Sequence, residues 1–260
     1  MRRGLPRWLV ALVAAVYVFL HLPILVLVVF SFNASKFSVE WTGFSLEWYR
    51  RLLERDDILH GLRASLIVGV AATLISTLLG TFIALGLARH KFRGRRVLEA
   101  LLYVPIVTPE IVTGISLLAF FQWTFRWLGW HLGLHTVILA HVSFSIAYVA
   151  IVVAARLRTF DVSLEEAAMD LGATEWRAFR RVTLPAISPG FIAAGLLALT
   201  ISFDDYVITS LVAGVDSTTL PMVIYAMARR GANPSINAIS ALIVVIFGAL
   251  ILISERLREA

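Results

Sequence analysis

The 260-residue chain contains no cysteine and few charged residues. Without cysteine it cannot form disulfides, use a thiol nucleophile or bind a metal through thiolates. Asp, Glu, Lys and Arg together make up only 15% of the residues, whereas soluble domains contain about 25%. Hydrophobic residues make up 59%. The composition therefore favours an integral membrane protein over a soluble one.

Lysine is nearly absent, since the chain has only Lys36 and Lys91. A P-loop ends in Gly-Lys-Ser/Thr, but Ser35 precedes the first lysine and His90 precedes the second. The chain therefore cannot hydrolyse ATP through a P-loop. No nucleophile–base pair or metal cluster is evident in the sequence either, which argues against a membrane-bound enzyme.

Three histidines, His131, His135 and His141, are the remaining candidates for metal ligands. The first two have helical i, i+4 spacing. No cysteine or carboxylate lies near them in the sequence, so histidines near the membrane interface are favoured over a metal site. We expect no metal and no cofactor bound by this chain.

Long apolar runs dominate the sequence. A helix needs about 20 apolar residues to cross a bilayer, and the runs are too long and too continuous for a transmembrane barrel. The predicted spans are 8–32, 62–88, 98–121, 135–155, 191–213 and 236–253. The first run lacks a convincing cleavage site, so we interpret it as an uncleaved span. The sequence predicts an all-α membrane protein with six transmembrane helices in a single domain, 1–260.

Basic residues cluster in the short segments between apolar runs, notably at 89–96, 156–158 and 177–181. If the N-terminus is cytoplasmic, the majority of Lys and Arg lie on the cytoplasmic side. The prediction is a multi-pass protein with both termini in the cytoplasm. This arrangement does not form one basic face, so the net charge of +6 does not indicate nucleic-acid binding.

The loop 156–190 falls on the cytoplasmic side and has its own structural signals. Ser163 and Glu166 have the spacing of a capping box at a helix start, and Gly172 can end that helix. A second short helix is predicted from about Thr174 until Pro185 ends it, and Pro189 is expected to break the chain again before the fifth span. The resulting helix–glycine–helix segment, which we call the elbow (residues 161–185), is too polar to span. It fits either a docking element or an amphipathic surface lying on lipid.

The elbow resembles the EAA loop of ABC-importer permeases. Glu166-Ala167-Ala168, three residues, Gly172, nine residues and Val182-x-Leu184-Pro185 match that pattern in every spacing, with Val in place of Ile. The resemblance implies a type I (MetI-like) permease fold with a cytoplasmic coupling helix. The residues it implies for ATPase coupling are Glu165, Glu166, Ala167, Ala168, Asp170, Gly172, Leu184 and Pro185.

The same resemblance implies partners. These would be a dimer of ATP-binding subunits that use ATP and Mg, a second homologous permease and a periplasmic binding protein, assembled in a bacterial inner membrane. Segments 92–95, 104–114, 202–208, 219–221 and 233–238 further resemble the spermidine/putrescine (polyamine) permeases of the PotC/PotI type. The implied function is polyamine import. A permease for another small solute remains open, whereas a self-contained secondary transporter or channel is less favoured because no internal repeat is evident.

Two adjacent acids, Asp204 and Asp205, lie inside the predicted fifth span. A carboxylate at mid-bilayer costs about 2.5–3.5 kcal/mol on insertion scales, so it normally faces a partner or a wet cavity. Neighbouring helical residues point about 100° apart, so both are not expected to line one pathway. Glu110, after Pro109 in the third span, is the other candidate. The alternative for all three acids is a structural role at a helix break.

Overall fold

The computed structural model describes residues 6–36, 40–231 and 234–259, with side chains as far as residue 249. Within these ranges it is helical apart from one isolated bridge between Asn33 and Phe44. The helices are α1 (Arg7–Phe30), α2 (Glu47–Leu53), α3 (Asp56–Arg89), α4 (Arg95–Val107), α5 (Glu110–Leu128), α6 (Leu134–Arg158), α7 (Ser163–Asp170), α8 (Glu175–Ala178), α9 (Leu184–Asp204), α10 (Val207–Val212), α11 (Leu220–Arg229) and α12 (Pro234–Glu259). The predicted all-α class is confirmed.

Within the described ranges, five helices are long and apolar enough to cross a membrane. They are α1, α3, α5, α6 and the continuous helical stretch Glu175–Asp204. The sixth predicted span, 236–253, lies in α12, whose apolar part with described side chains is Pro234–Ala249. Helix α1 has no buried side chain, as expected for a span that faces lipid or another subunit.

Two predicted spans are interrupted. Segment 98–121 is divided between α4 and α5, because Thr108 is extended and Pro109 begins the next helix. A residue before proline avoids the helical region, which places this break. Segment 191–213 is divided between α9 and α10, because Asp205 is extended with ψ 124. Neither proline nor glycine causes this second break.

The chain divides into two compact units, of which one contains residues 60–223. Helix α6 supplies much of the core of this unit. One core cluster joins Val137, Ala140 and Phe144 of α6 to Phe121 of α5 and Ile208 of α10. A second joins α6 to α9 through small side chains. Its members are Ala84, Val149, Val153, Ala194 and Ala198. Small residues let membrane helices approach closely.

Gly114 allows another close approach, between α5 and α10. A Cβ at this position would lie 2.6 Å from Leu211 Cδ1, which is too short for a van der Waals contact. The short half-helix α10 therefore packs directly against the backbone of α5. This contact holds the half-helices that follow the two breaks against each other.

The other unit contains residues before 60 and residues 224–256. Its loop after α1 is organised by Asn33, which is fully buried. The Asn33 amide donates to Glu40 O at 2.6 Å and its side-chain oxygen accepts from Thr42 N at 2.9 Å. Trp48 Nε1 donates to Asn33 O at 2.8 Å. The loop is thus a folded structure that leads into α2.

Candidate translocation and coupling sites

The first helix break puts Glu110 at the start of α5. Helix α4 contains Pro105 and ends at Val107, and the Thr108 hydroxyl donates to Val104 O at 2.6 Å. Pro109 then serves as the N-cap residue of α5. A carboxylate in the first turn suits the positive end of the helix dipole, so the sequence Pro-Glu places an acid at the break.

The second break uses Asp205 as a cap. Its carboxylate accepts from the Thr209 amide at 2.8 Å, from the Thr209 hydroxyl at 2.7 Å and from the Ile208 amide at 3.4 Å. These amides lie at the start of α10 and have no intrahelical partner of their own. The Asp205 side chain is only 6% exposed. Asp205 therefore supports the break, as the structural alternative for these acids requires.

Asp204 has a different environment although it is the neighbouring residue. It ends α9, is exposed, and its carboxylate hydrogen-bonds to no other residue of the described part of the chain. The two neighbouring acids therefore differ in their bonding, because one carboxylate is bound by α10 and the other remains open.

The two breaks border one cavity of about 230 Å³, which we call the acidic cavity. Glu110, Asp204 and Asp205 all line it, with Phe144 and Tyr148 of α6 on another wall. No Lys or Arg is among the lining residues within the described ranges. The structure thus brings the three predicted pathway acids together from two distant parts of the sequence.

The elbow begins differently from the sequence prediction. The capping box is wrong: Val162 has helical backbone angles and no side chain caps α7. Instead, Asp161 Oδ1 accepts from the Ser163 amide at 3.0 Å. Hydrogen bonds from the Ser163 side chain and from its amide hold the pKa of Asp161 below its ordinary value of 3.8. The helix starts one residue earlier than predicted, so Ser163 lies within its first turn and cannot act as the cap.

Gly172 ends the first helix as predicted. Its φ of +86° is left-handed, and its amide donates to Met169 O at 2.9 Å while Ala173 N donates to Ala168 O at 3.1 Å. These are the two bonds of a Schellman motif. A side chain at residue 172 would strain this corner.

The second part of the elbow does not end at Pro185. A π-helical turn, Phe179–Thr183, joins α8 to α9, and the helix runs on through Pro189. Pro185 lies in the first turn of α9, where proline is tolerated because its missing amide is not required. The predicted stops at Pro185 and Pro189 are therefore wrong, and the elbow leads into the fifth span without interruption.

Glu165 and Glu166 have opposite surroundings. Glu165 is 8% exposed and accepts from Arg89 at 2.7 Å and from the Thr183 hydroxyl at 2.9 Å. The Arg89 guanidinium also lies 5.4 Å from the centre of the Phe179 ring. These contacts tie α7 to the end of α3 and to the π-helical turn. Glu166 is exposed.

The open surface of the elbow is partly apolar. Leu171 is 90% exposed and Trp176 is 67% exposed, and Val162 and Leu164 are also exposed. Ala167, Asp170 and Gly172 are exposed as well. Exposed apolar groups of this kind, rimmed by charges, are typical of surfaces that contact another protein or a membrane.

Three residues of these sites were not predicted from the sequence. Arg89 and Thr183 contact Glu165 in the elbow, and His141 lies at the second helix break. Arg89 counted only as a charge that sets topology, and its partner Glu165 is 76 residues away. His141 was considered only as a metal ligand, and the described residues contain no group of His, Asp or Glu that could hold a metal. The signal in the sequence that could have identified His141 is a polar residue inside one predicted span when another predicted span contains an acid.

Comparison with known proteins gives relatives that cover nearly the whole chain. The putrescine transport system permease protein PotI of Escherichia coli (strain K12) is 43% identical over 239 residues, 91% of this chain and 85% of PotI. The spermidine/putrescine transport system permease protein PotC of the same strain is 36% identical over 245 residues, 94% of this chain and 91% of PotC. PotC of Haemophilus influenzae is 36% identical over 249 residues.

Solved structures with the same fold are more distant in sequence. A chain of a bacterial ABC transporter for import of the acidic polysaccharide alginate has a TM-score of 0.75 at 16% identity, covering 96% of this chain and 93% of that one. A chain of the MetNI methionine ABC transporter has a TM-score of 0.62 at 19% identity. The family model for the inner membrane component of binding-protein-dependent transport systems matches residues 76–260. This chain therefore belongs to that family of transporter inner-membrane components.

Proposed function

We propose that this chain is a permease subunit of an ATP-driven polyamine importer and forms half of its translocation pathway. The observation that carries the proposal is the acidic cavity, where three carboxylates meet without a lining Lys or Arg in the described part of the chain. The relatives named for putrescine and for spermidine/putrescine transport agree with it. A polyamine carries several ammonium groups, so such a cavity matches its charge.

The acidic cavity offers two kinds of group to an ammonium ion. Asp204 and Glu110 supply negative charge, while Phe144 and Tyr148 supply aromatic rings. Cations are attracted to ring faces, and desolvation strengthens this attraction. Because Glu110 begins α5 and Asp204 ends α9, a relative movement of these two helices would change the distance between the acids.

Coupling to ATP falls to the elbow in this proposal. Glu166, Ala167, Asp170 and Gly172 would face a partner ATPase subunit, which would supply ATP and Mg. Ala168, Leu184 and Pro185 would support that surface from behind, as would Glu165 through its bonds to Arg89 and Thr183. Docking is favoured over lipid binding because the exposed surface contains Glu166 and Asp170, which an anionic membrane surface would repel.

The assembly would also need a second homologous permease and a periplasmic binding protein. If the elbow faces the ATPase, loop 156–190 is cytoplasmic, and six spans would then put both termini on the same side in a bacterial inner membrane. The similar alginate structure handles an acidic cargo. Three carboxylates in the acidic cavity disfavour an anion here, so the second candidate function is import of another small cationic solute.

The test is reconstitution of the complete complex with its ATPase, second permease and binding protein. We expect putrescine or spermidine to stimulate ATP hydrolysis, and Asp204→Asn and Glu110→Gln to weaken that response. Glu54→Gln in an exposed ion pair with Arg50 serves as a charge-matched control, because such pairs contribute little. Stimulation by a different solute and not by polyamines would refute the proposed cargo.

The coupling claim has a separate test. The purified chain alone in liposomes should not move solute, because it lacks a P-loop. Transport by this chain without an added ATPase would refute the subunit role.

A further inference from the structure

His141 occupies an unusual position in the fold. It lies in α6, is 1% exposed, and contacts both sides of the second helix break. Its Nδ1 lies 2.7 Å from Ser202 Oγ in the last turn of α9. Its Nε2 lies 2.9 Å from Thr209 Oγ1 in α10 and 3.4 Å from Asp205 Oδ2. One ring therefore bridges the two half-helices.

The hydrogen bonds have a consistent direction. Because the Thr209 hydroxyl donates its proton to Asp205 Oδ2, its oxygen must accept from Nε2–H of His141. The neutral ring then has Nδ1 free to accept from the Ser202 hydroxyl. Each side chain donates a hydrogen bond to the next in the order Ser202, His141, Thr209 and Asp205. Each of the four side chains in this series of hydrogen bonds has a partner, which is the condition for burying such groups without a penalty.

A histidine that only filled space would not need this arrangement. An apolar residue of similar size would pack against Phe144, whose ring centre is 5.3 Å from that of His141. It would leave Ser202 and Thr209 without their partner, at a cost. Nε2 also lies 3.4 Å from Asp205 Oδ2, so the ring packs beside the carboxylate that caps α10. The carboxylate of Asp205 is therefore bonded within the fold, whereas that of Asp204 is not.

We propose that His141 is a positioning residue that pins the break in the fifth span and thereby leaves Asp204 and Glu110 as the carboxylates that meet the cation. This inference rests on the proposed function for its cargo, but the pin itself is a property of the fold. His141 contacts no cargo directly. It acts through Asp205 and through the placement of the end of α9.

Two isosteric substitutions separate the ends of the ring. Gln places its terminal group near the Nε2 position and can still donate to Thr209, whereas Asn reaches only the Nδ1 position. In the complete reconstituted complex, we expect His141→Gln to stay within about threefold of the wild-type KM for putrescine. We expect His141→Asn and His141→Ala to raise that KM about tenfold. His131→Ala, at an exposed position, is the control.

A second measurement does not depend on cargo. Hydrogen–deuterium exchange should show the amides of Ile208 and Thr209 protected in the wild type and in His141→Gln, but exchanging at least about tenfold faster in His141→Asn. If the His141 variants fail to assemble, Thr209→Val removes the same hydroxyl link and Thr209→Ser restores it. If His141 holds the break in this way, the exchange is faster and the KM higher in Thr209→Val but not in Thr209→Ser.

The outcomes are distinguishable. Unchanged exchange and unchanged KM in His141→Asn and Thr209→Val would overturn the pin, whatever the cargo. A wild-type complex that no polyamine stimulates would overturn the proposed cargo, and the exchange data would then decide the pin alone. Faster exchange with an unchanged KM would refute the positioning role and leave only a structural one.

Discussion

The elbow and the second helix break each carry two adjacent carboxylates, and in both pairs one acid is bound while the other is open. Glu165 is buried against Arg89 and Thr183, and Glu166 is exposed. Asp205 is bonded to α10, and Asp204 is exposed to the acidic cavity. In the elbow, a turn of about 100° between neighbouring helical residues produces this division. At the break, Asp204 ends α9 and Asp205 is extended, so the change of backbone conformation separates the two carboxylates. Adjacent acids in this chain therefore have separate tasks.

The two bound acids are stabilised in different ways. Glu165 pairs with a full positive charge on Arg89, whose side chain is partly exposed at 36%. Asp205 accepts from neutral donors, namely two amides and a hydroxyl. An ion pair deep in the membrane would carry a large desolvation cost, so amides freed by a helix break are the better partners there. A partly exposed carboxylate can therefore pair with an arginine, whereas a carboxylate inside a span is better stabilised by neutral donors.

The largest effect should come from reversing the open charge in the elbow. We expect Glu166→Lys, and separately Gly172→Arg, to abolish co-purification of the ATPase, because the first reverses a charge on the docking surface and the second strains a left-handed corner. Glu166→Gln should reduce it less. Full association and uptake in both severe variants would contradict the docking assignment.

Substitution of Glu165, the buried acid of the elbow, should affect stability more than association with the ATPase. We expect Glu165→Ala to lower the free energy of unfolding by about 2 kcal/mol, because Arg89 and Thr183 lose their shared acceptor. Glu166→Ala, the matched control on the exposed side, should change it by less than about 0.5 kcal/mol. Thermal unfolding of the purified complex measures both. Equal losses in the two variants would remove the distinction between the acids.

Substitutions of Asp204 and Asp205 should likewise have different effects, one on transport and the other on stability. Asp204→Asn is expected to raise the KM for polyamine uptake about tenfold while leaving thermal stability close to wild type. Asp205→Asn should chiefly lower thermal stability, because a neutral amide cannot accept as strongly from the caps of α10. The reverse pattern, with Asp205→Asn dominating KM and leaving stability intact, would assign the cation contact to the other carboxylate.

The smallest effect concerns Asp161, which replaces the predicted capping box. Its pKa is lowered by the Ser163 hydrogen bond, so its stabilising contribution is complete above the ordinary aspartate pKa and is lost as the pH falls through the lowered value. Thermal unfolding should therefore differ slightly between wild type and Asp161→Asn at pH 7 and converge at low pH. A difference that grows on acidification would have the wrong sign.

Sequence reasoning located the helices, the Gly172 corner and the three cavity acids, because these depend on local patterns. It offered a break at Asp205 only as an alternative, since no proline or glycine marks it and the cause is the capping of α10. It misread Pro185 and Pro189 as stops, because a π-helical turn is not visible in the sequence. It could not pair Arg89 with Glu165 or His141 with Asp205, since those contacts join residues far apart in the chain.

The helix from Glu175 to Asp204 is uninterrupted, so the fifth span can tilt as one rigid rod. At 1.5 Å per residue it is about 45 Å long, so a tilt of about 10° at one end displaces the other by about 8 Å. One end of this helix carries Trp176 and the π-helical turn, and the other end carries the open carboxylate. A small rocking at one face of the membrane is thereby magnified into a displacement wider than an ammonium group.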